Sequence, residues 1–196
     1  MPDEVGTINT VTGRQIAHDS FTEEDVVLED IAHGLAHNCR FAGQCNEFYS
    51  VALHSMNVSR CLDEVEGAGA ELQLYGLLHD ASEAYLADIP GPFKRSFEGY
   101  TSAEERVMDA VWEWSGLDSP RTDDSGREPW KDADEGVEAC EMDALLNIDG
   151  GKVDAEKLEA YSHAVDVEGS EEFSGIKRDF EERAEELAER CGVTLR

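Results

Sequence analysis

Gly76-Leu77-Leu78-His79-Asp80-Ala81-Ser82-Glu83-Ala84-Tyr85-Leu86-Ala87-Asp88-Ile89-Pro90 is the stretch that decides how this chain is read. It predicts a helix with a His-Asp pair inside an otherwise apolar run, where an unpartnered ionised carboxylate is costly. A metal cation meets that need most economically. Glu83 lies four positions past His79 and three past Asp80, on the same side of a helix. Imidazole and carboxylate then supply two ligands, while Glu83 stands one turn further on as an acid or base. Pro90 and Pro92 end the helix. Asp88 falls at its C-terminal end, where the helix dipole disfavours a carboxylate, so a role other than helix stability keeps it there.

Working outward, His54 precedes His79 by 25 residues, inside the amphipathic segment 48–58. Asp143 follows Asp80 by 63 residues, in the segment 139–146. His, then His-Asp, then Asp, each on its own helix, is the ligand order of the HD-domain metal-dependent phosphohydrolases. With Cys39-Arg40-Phe41, Tyr49-Ser50-Val51-Ala52-Leu53-His54-Ser55 and Asp88-Ile89-Pro90-Gly91-Pro92-Phe93-Lys94, residues 30–148 resemble the branch that holds bacterial 5′-deoxynucleotidases and their phage and archaeal relatives. The resemblance implies metal ligands at His54, His79, Asp80 and Asp143, and Glu83 as the residue that activates water. It also implies a phosphate contact from Arg40 and sugar contacts from Phe41 and Asp88. This chain has Phe41 where the nucleotidases carry Trp, and Leu53 where they carry Glu, which leaves ribose against deoxyribose open.

Other readings of the same residues stand beside these. Arg40 can be a cation compensating the dipole at a helix end, His54 a core histidine, and Asp143 a cap or bridge. Glu141, beside Cys140, points away from the site. His33 and His37 have a ligand-like spacing but read as packing residues.

The balance of 45 acidic against 16 basic residues, a net charge of −29, excludes nucleic-acid polymers as partners, since no Lys/Arg cluster could neutralise a phosphate backbone. An apolar periodicity sustained through the chain argues for a fold despite that charge, and an acidic exterior suits high salt. Activity is then expected to rise with ionic strength; a rate that falls steadily as salt is added would contradict this. A small phosphorylated substrate, a nucleotide above all, needs only local positive charge, from the metal, Arg40 and Lys94. The five cysteines show no metal-binding spacing and read as reduced thiols of a cytoplasmic protein. No apolar run approaches the about 20 residues that span a bilayer.

The expected architecture is all-α, a compact HD-domain helical bundle in a single domain, 1–196, with its metal-binding core at 30–148 and packing helices at 149–196. Residues 1–29 read as an extended lead-in, and Asp30 as the cap of a short helix. Asp123-Asp124 lies in a solvated loop, Asp149-Gly150-Gly151 ends a helix, Asp154 caps the next, and an apolar stripe at Phe173, Ile176, Phe180, Ala184, Leu187 and Cys191 marks a last helix from about Glu171. The expected activity is release of phosphate from nucleoside 5′-monophosphates with one divalent ion (Mn, Co, Fe, Ni or Zn), in a possible homodimer, as the related nucleotidases are. The alternatives are a non-catalytic nucleotide-binding regulator of the same fold and a hydrolase of another phosphoester.

Overall fold

The computed structural model describes residues 6–120, 122, 124, 126–148, 153–167 and 172–195. Asp123, the Asp149-Gly150-Gly151 terminator and the Glu171 helix start lie outside them. The fold is all-α. Among the described residues its only sheet is the antiparallel hairpin of β1 (Ile8–Asn9) and β2 (Gln15–Ile16), with Ile8 opposite Ile16.

The lead-in therefore has structure of its own, and Asp30 has a different task from capping. It lies inside the first turn of α1 (Leu28–His37), where its buried carboxylate accepts the Thr12 amide at 3.0 Å and the Thr12 hydroxyl at 2.8 Å. That pair fastens the hairpin to α1. Because α1 ends at His37, Arg40 stands beyond the reach of its last turn and is not a dipole-compensating cation.

Arg40 opens a turn wound in the left-handed sense at Phe41 (φ 54), Ala42 (φ 53) and Gly43 (φ 74). Two of those residues carry a Cβ, each at a cost of about 1–2 kcal/mol. Hydrogen bonds hold its surroundings: Arg40 N–H to Tyr49 O at 2.9 Å, Val51 N–H to Asn38 O at 2.9 Å, and Asn46 N–H to Leu145 O at 3.0 Å.

α2 (Val51–Glu64) starts at Ser50, whose hydroxyl accepts the Leu53 amide at 3.2 Å. Its inward face buries Val51, Val58 and Leu62 together with His54. α3 (Ala70–Leu78) sinks Leu74, Leu77 and Leu78 completely, each contributing about 1.5–3 kcal/mol relative to exposure. The helix stops there rather than running through the motif. His79, Asp80, Ala81 and Ser82 form tight turns that hydrogen-bond three residues back, Ala81 N–H to Leu78 O and Glu83 N–H to Asp80 O at 2.9 Å each, before α4 (Glu83–Leu86) resumes. Near-helical dihedrals at His79 and Ser82 keep the motif on one side all the same.

Next come α5 (Gly91–Lys94), led in by Pro90, and α6 (Tyr100–Ser115), whose Trp112 meets Tyr75 edge-on. α7 (Lys131–Leu146) follows, then α8 (Ala155–Ala164), capped as expected by Asp154, which accepts the Glu156 amide at 2.9 Å. α9 (Phe173–Cys191) buries Ile176, Phe180, Ala184 and Leu187, the core of the predicted stripe, and lies against α1 and α3. α2 runs between α3 and α7, which brings His54, the His79–Asp80 turn and α7 to one place. α1 presses on α4 at Gly34, where a Cβ would stand 2.7 Å from the Ala84 carbonyl oxygen. Only glycine permits that approach, which seats Glu83 against the bundle. No helix of the described residues is long and apolar enough to cross a membrane, and the five cysteines are free thiols.

Candidate metal centre and its pocket

α2 contributes His54, the turn after α3 contributes His79 and Asp80, and the inner face of α7 contributes a second Asp. His54, His79 and Asp80 offer ligand atoms within 4.8 Å of one another and could hold a metal ion. Asp80 Oδ2 lies 3.3 Å from His79 Nε2 and 3.8 Å from His54 Nε2. Asp134 Oδ1 lies 3.1 Å from His54 Nε2 and 3.8 Å from His79 Nε2. The separations among His54, His79 and Asp80 suit ligands about 2.1 Å from a shared ion, while Asp134 lies beside both imidazoles but outside that group of three.

The hydrogen bonds behind the imidazoles fit them to that task. His79 Nδ1 donates to the Gly76 carbonyl at 2.7 Å, which leaves Nε2 buried and without a hydrogen-bond partner, facing the carboxylates. His54 Nδ1 donates to Glu141 at 2.9 Å and turns Nε2 toward Asp134. Each ring is thus held from behind at Nδ1 with Nε2 directed inward, the orientation of metal-ligating histidines.

Asp143, expected as the fourth ligand, is not among these groups. Asp143 is exposed and borders an outer groove with Cys140 and Ala144, far around α7 from the histidines. It stands nine residues past Asp134, and at about 100° per residue that is half a turn away. Glu141 also departs from expectation. It is completely buried and stands behind the site, taking His54 Nδ1, the Tyr49 hydroxyl at 2.9 Å and Arg40 Nη2 at 3.3 Å. A signal for both was present: Asp134, Val137, Glu141 and Leu145 fall at spacings of three and four, and all four are buried. Val137, Cys140, Leu145 and Leu146 together read as packing beside Asp143, but only Val137 and Leu145 of these are buried.

The charges respond to this crowding. Burial and the Arg40 guanidinium press His54 toward its neutral form, yet Glu141 and Asp134 outweigh them and raise it to about 10. Burial raises Asp134, but the His54 hydrogen bond with His79 and Lys131 holds it well below the carboxylate range. Burial likewise raises Asp80, and His79, His54 and Arg40 more than reverse it. Glu83 goes the other way, pushed well above its ordinary value by burial and then by Asp80 and Asp88, despite Lys94 and Arg40.

A pocket of about 360 Å³ opens beside these groups, lined by Arg40, Phe41, Asp80, Glu83, Asp88, Lys94, Lys131 and Asp134 among others. Arg40 is almost fully buried, with its guanidinium 5.2 Å from the centre of the Phe41 ring and 3.7 Å from Asp80. Lys94 reaches the pocket, but its ammonium is engaged by Glu83 at 3.0 Å and by Glu104 at 2.6 Å. Glu83 Oε2 is buried with no hydrogen-bond partner. Lys131, which the sequence reading passed over, binds the outer oxygen of Asp134 at 2.5 Å.

The chain has named relatives of its own. It is 38% identical over 110 residues to the uncharacterized protein YfdR of Escherichia coli (strain K12), covering 56% of this chain and 58% of that protein. It is 38% identical over 105 residues to an uncharacterized protein of Rhodobacter capsulatus, covering 52% of this chain and 54% of that protein. The chain thus spans a little over half the length of each of these curated relatives. No family model matches it.

Proposed function

We propose that the chain is a metal-dependent phosphohydrolase of the HD-domain type that releases phosphate from a small monoester, a nucleoside 5′-monophosphate. One observation carries this reading: two imidazoles anchored at Nδ1 and two carboxylates converge beside a pocket that also holds a buried Glu and a buried Arg. Mixed nitrogen and oxygen donors suit Mn, Co, Fe, Ni or Zn. His54, His79 and Asp80 would hold such an ion, with Asp134 as the fourth side chain. When bound, a divalent ion acidifies its water, polarises phosphorus and favours the ionised form of Glu83.

The chain's own groups supply the rest. Glu83 keeps Oε2 uncommitted while Lys94 steadies Oε1, which suits a group that takes a proton from water. Arg40 offers a guanidinium where phosphate charge develops. Phe41 and Asp88 line the pocket where a sugar would lie. Arg40, Lys94 and Lys131 stand in this pocket among the carboxylates of Asp80, Glu83, Asp88, Asp134 and Glu138, so attraction for an anion would depend on the divalent ion as well as on these cations. The pocket volume is at the small end of the about 300–1,000 Å³ usual for small-molecule sites, which favours a mononucleotide.

The test is a panel of nucleoside monophosphates, triphosphates and phosphodiesters, assayed in high salt with each divalent ion. Metal-dependent release of inorganic phosphate from monophosphates is expected. Nucleotide binding without phosphate release under any metal would replace this reading with that of a non-catalytic binding protein.

A further inference from the structure

Glu141 has no step of its own in the reaction above, yet it is completely enclosed. A charge so placed is costly unless every lone pair is used. His54 Nδ1 donates to its Oε1 at 2.9 Å and lies 3.1 Å from Oε2; the Tyr49 hydroxyl donates to Oε1 at 2.9 Å, and Arg40 Nη2 donates to Oε2 at 3.3 Å. Its charge-bearing partners belong to different tasks. His54 is a candidate metal ligand on α2, and Arg40 is the candidate anion grip on the turn before it.

Arg40 has little else to hold it. Its Nε is buried without a hydrogen-bond partner, and its other close carboxylate is Asp80 at 3.7 Å, itself a metal-ligand candidate. Without Glu141 the guanidinium has Asp80 to turn to, where it would compete with the ion, and the His54 ring loses the acceptor that anchors its Nδ1. Both effects act in the same direction.

We propose that Glu141 is a positioning residue that ties the metal ligand His54 to the anion grip Arg40, so that ion binding and phosphate binding depend on one carboxylate. The role given to Arg40 rests on the phosphohydrolase reading; the role toward His54 does not.

The experiment measures Mn²⁺ affinity by calorimetry on the full chain, then inorganic phosphate affinity at saturating Mn²⁺, for wild type, Glu141→Gln and Glu141→Asp. Gln keeps the size but removes the charge that strengthens the His54 bond and leaves one acceptor oxygen for His54 and Tyr49, while its amide nitrogen presents donors to Arg40. Asp keeps the buried charge with a shorter reach, and serves if the Gln variant fails to fold. Mn²⁺ affinity is expected to fall about 10–100-fold, as for outer partners of ligating histidines, and phosphate affinity at saturating metal about 10-fold. A folded variant that keeps both affinities within about 2-fold overturns the proposal, because surface-like neutrality is then what it shows. Loss of Mn²⁺ affinity with phosphate affinity intact overturns it as well, by removing the link to Arg40. A wild-type chain that binds both ions yet releases no phosphate from any ester defeats the hydrolase reading alone and leaves the Glu141 result standing.

Discussion

On the inner face of α7, Asp134 and Glu141 are buried and both bond to His54. On its outer face Asp143 is exposed beside a groove of about 560 Å³. The residue types are the same and the helix is the same; only the angle around the axis differs. What that difference teaches is that in an acidic helix the task of a carboxylate is set by what its face meets. Toward α2 it meets imidazole and guanidinium, and the charge is held by them. Away from α2 it meets solvent, where it adds to the overall repulsion.

The largest effect expected from breaking this contrast is on the inner face. Asp134→Ala should weaken metal binding by more than about 100-fold, beyond the range for outer partners, as read by calorimetry. Retained stoichiometric metal in that variant would return the fourth position to question. Across the pocket, Glu83→Gln should keep the metal and lose about 100-fold in rate, the scale of an acid or base, measured with saturating substrate. Full turnover there would remove Glu83 from the chemistry. Smaller again is Gly136→Ala on α7, since a methyl group at that position collides with the Tyr161 ring of α8. Overpacking of about 1–3 kcal/mol, offset by about 1 kcal/mol of helix propensity, predicts a net loss of up to about 2 kcal/mol in a denaturant melt. Smallest of all, Asp143→Ala should change stability by less than about 0.5 kcal/mol and leave metal affinity untouched. Metal loss in that variant would erase the distinction between the faces.

Much of this arrangement could be read in the amino-acid order. The stripe through Ile176, Phe180, Ala184 and Leu187 marks α9, and the His79-Asp80-Glu83 spacing with His54 marks the cradle, because apolar surroundings make each polar exception stand out. The same logic fails on α7. Asp132, Asp134, Glu135, Glu138, Glu141 and Asp143 crowd this helix, so a carboxylate is no exception there and two inward registers are equally plausible. The break after Leu78 was hidden for another reason. Tight turns with near-helical dihedrals preserve the spacing of a helix, so periodicity does not distinguish them. Lys94 is a third case: its sequence position shows a cation near the site, but not that Glu83 and Glu104 have already claimed it.

The left-handed turn at Phe41 and Ala42 has a consequence for how the protein would fail. Its shape runs against the preference of the residues in it and is sustained from outside, by Tyr49 ahead of α2 and by Leu145 at the end of α7. Mild heating or dilute denaturant should therefore unwind it first, and the amides of Phe41 and Ala42 should exchange with solvent sooner than those of α2. The anion grip proposed for Arg40 would slacken while the bundle still stands, so that recognition would have a lower breaking point than the architecture that carries it.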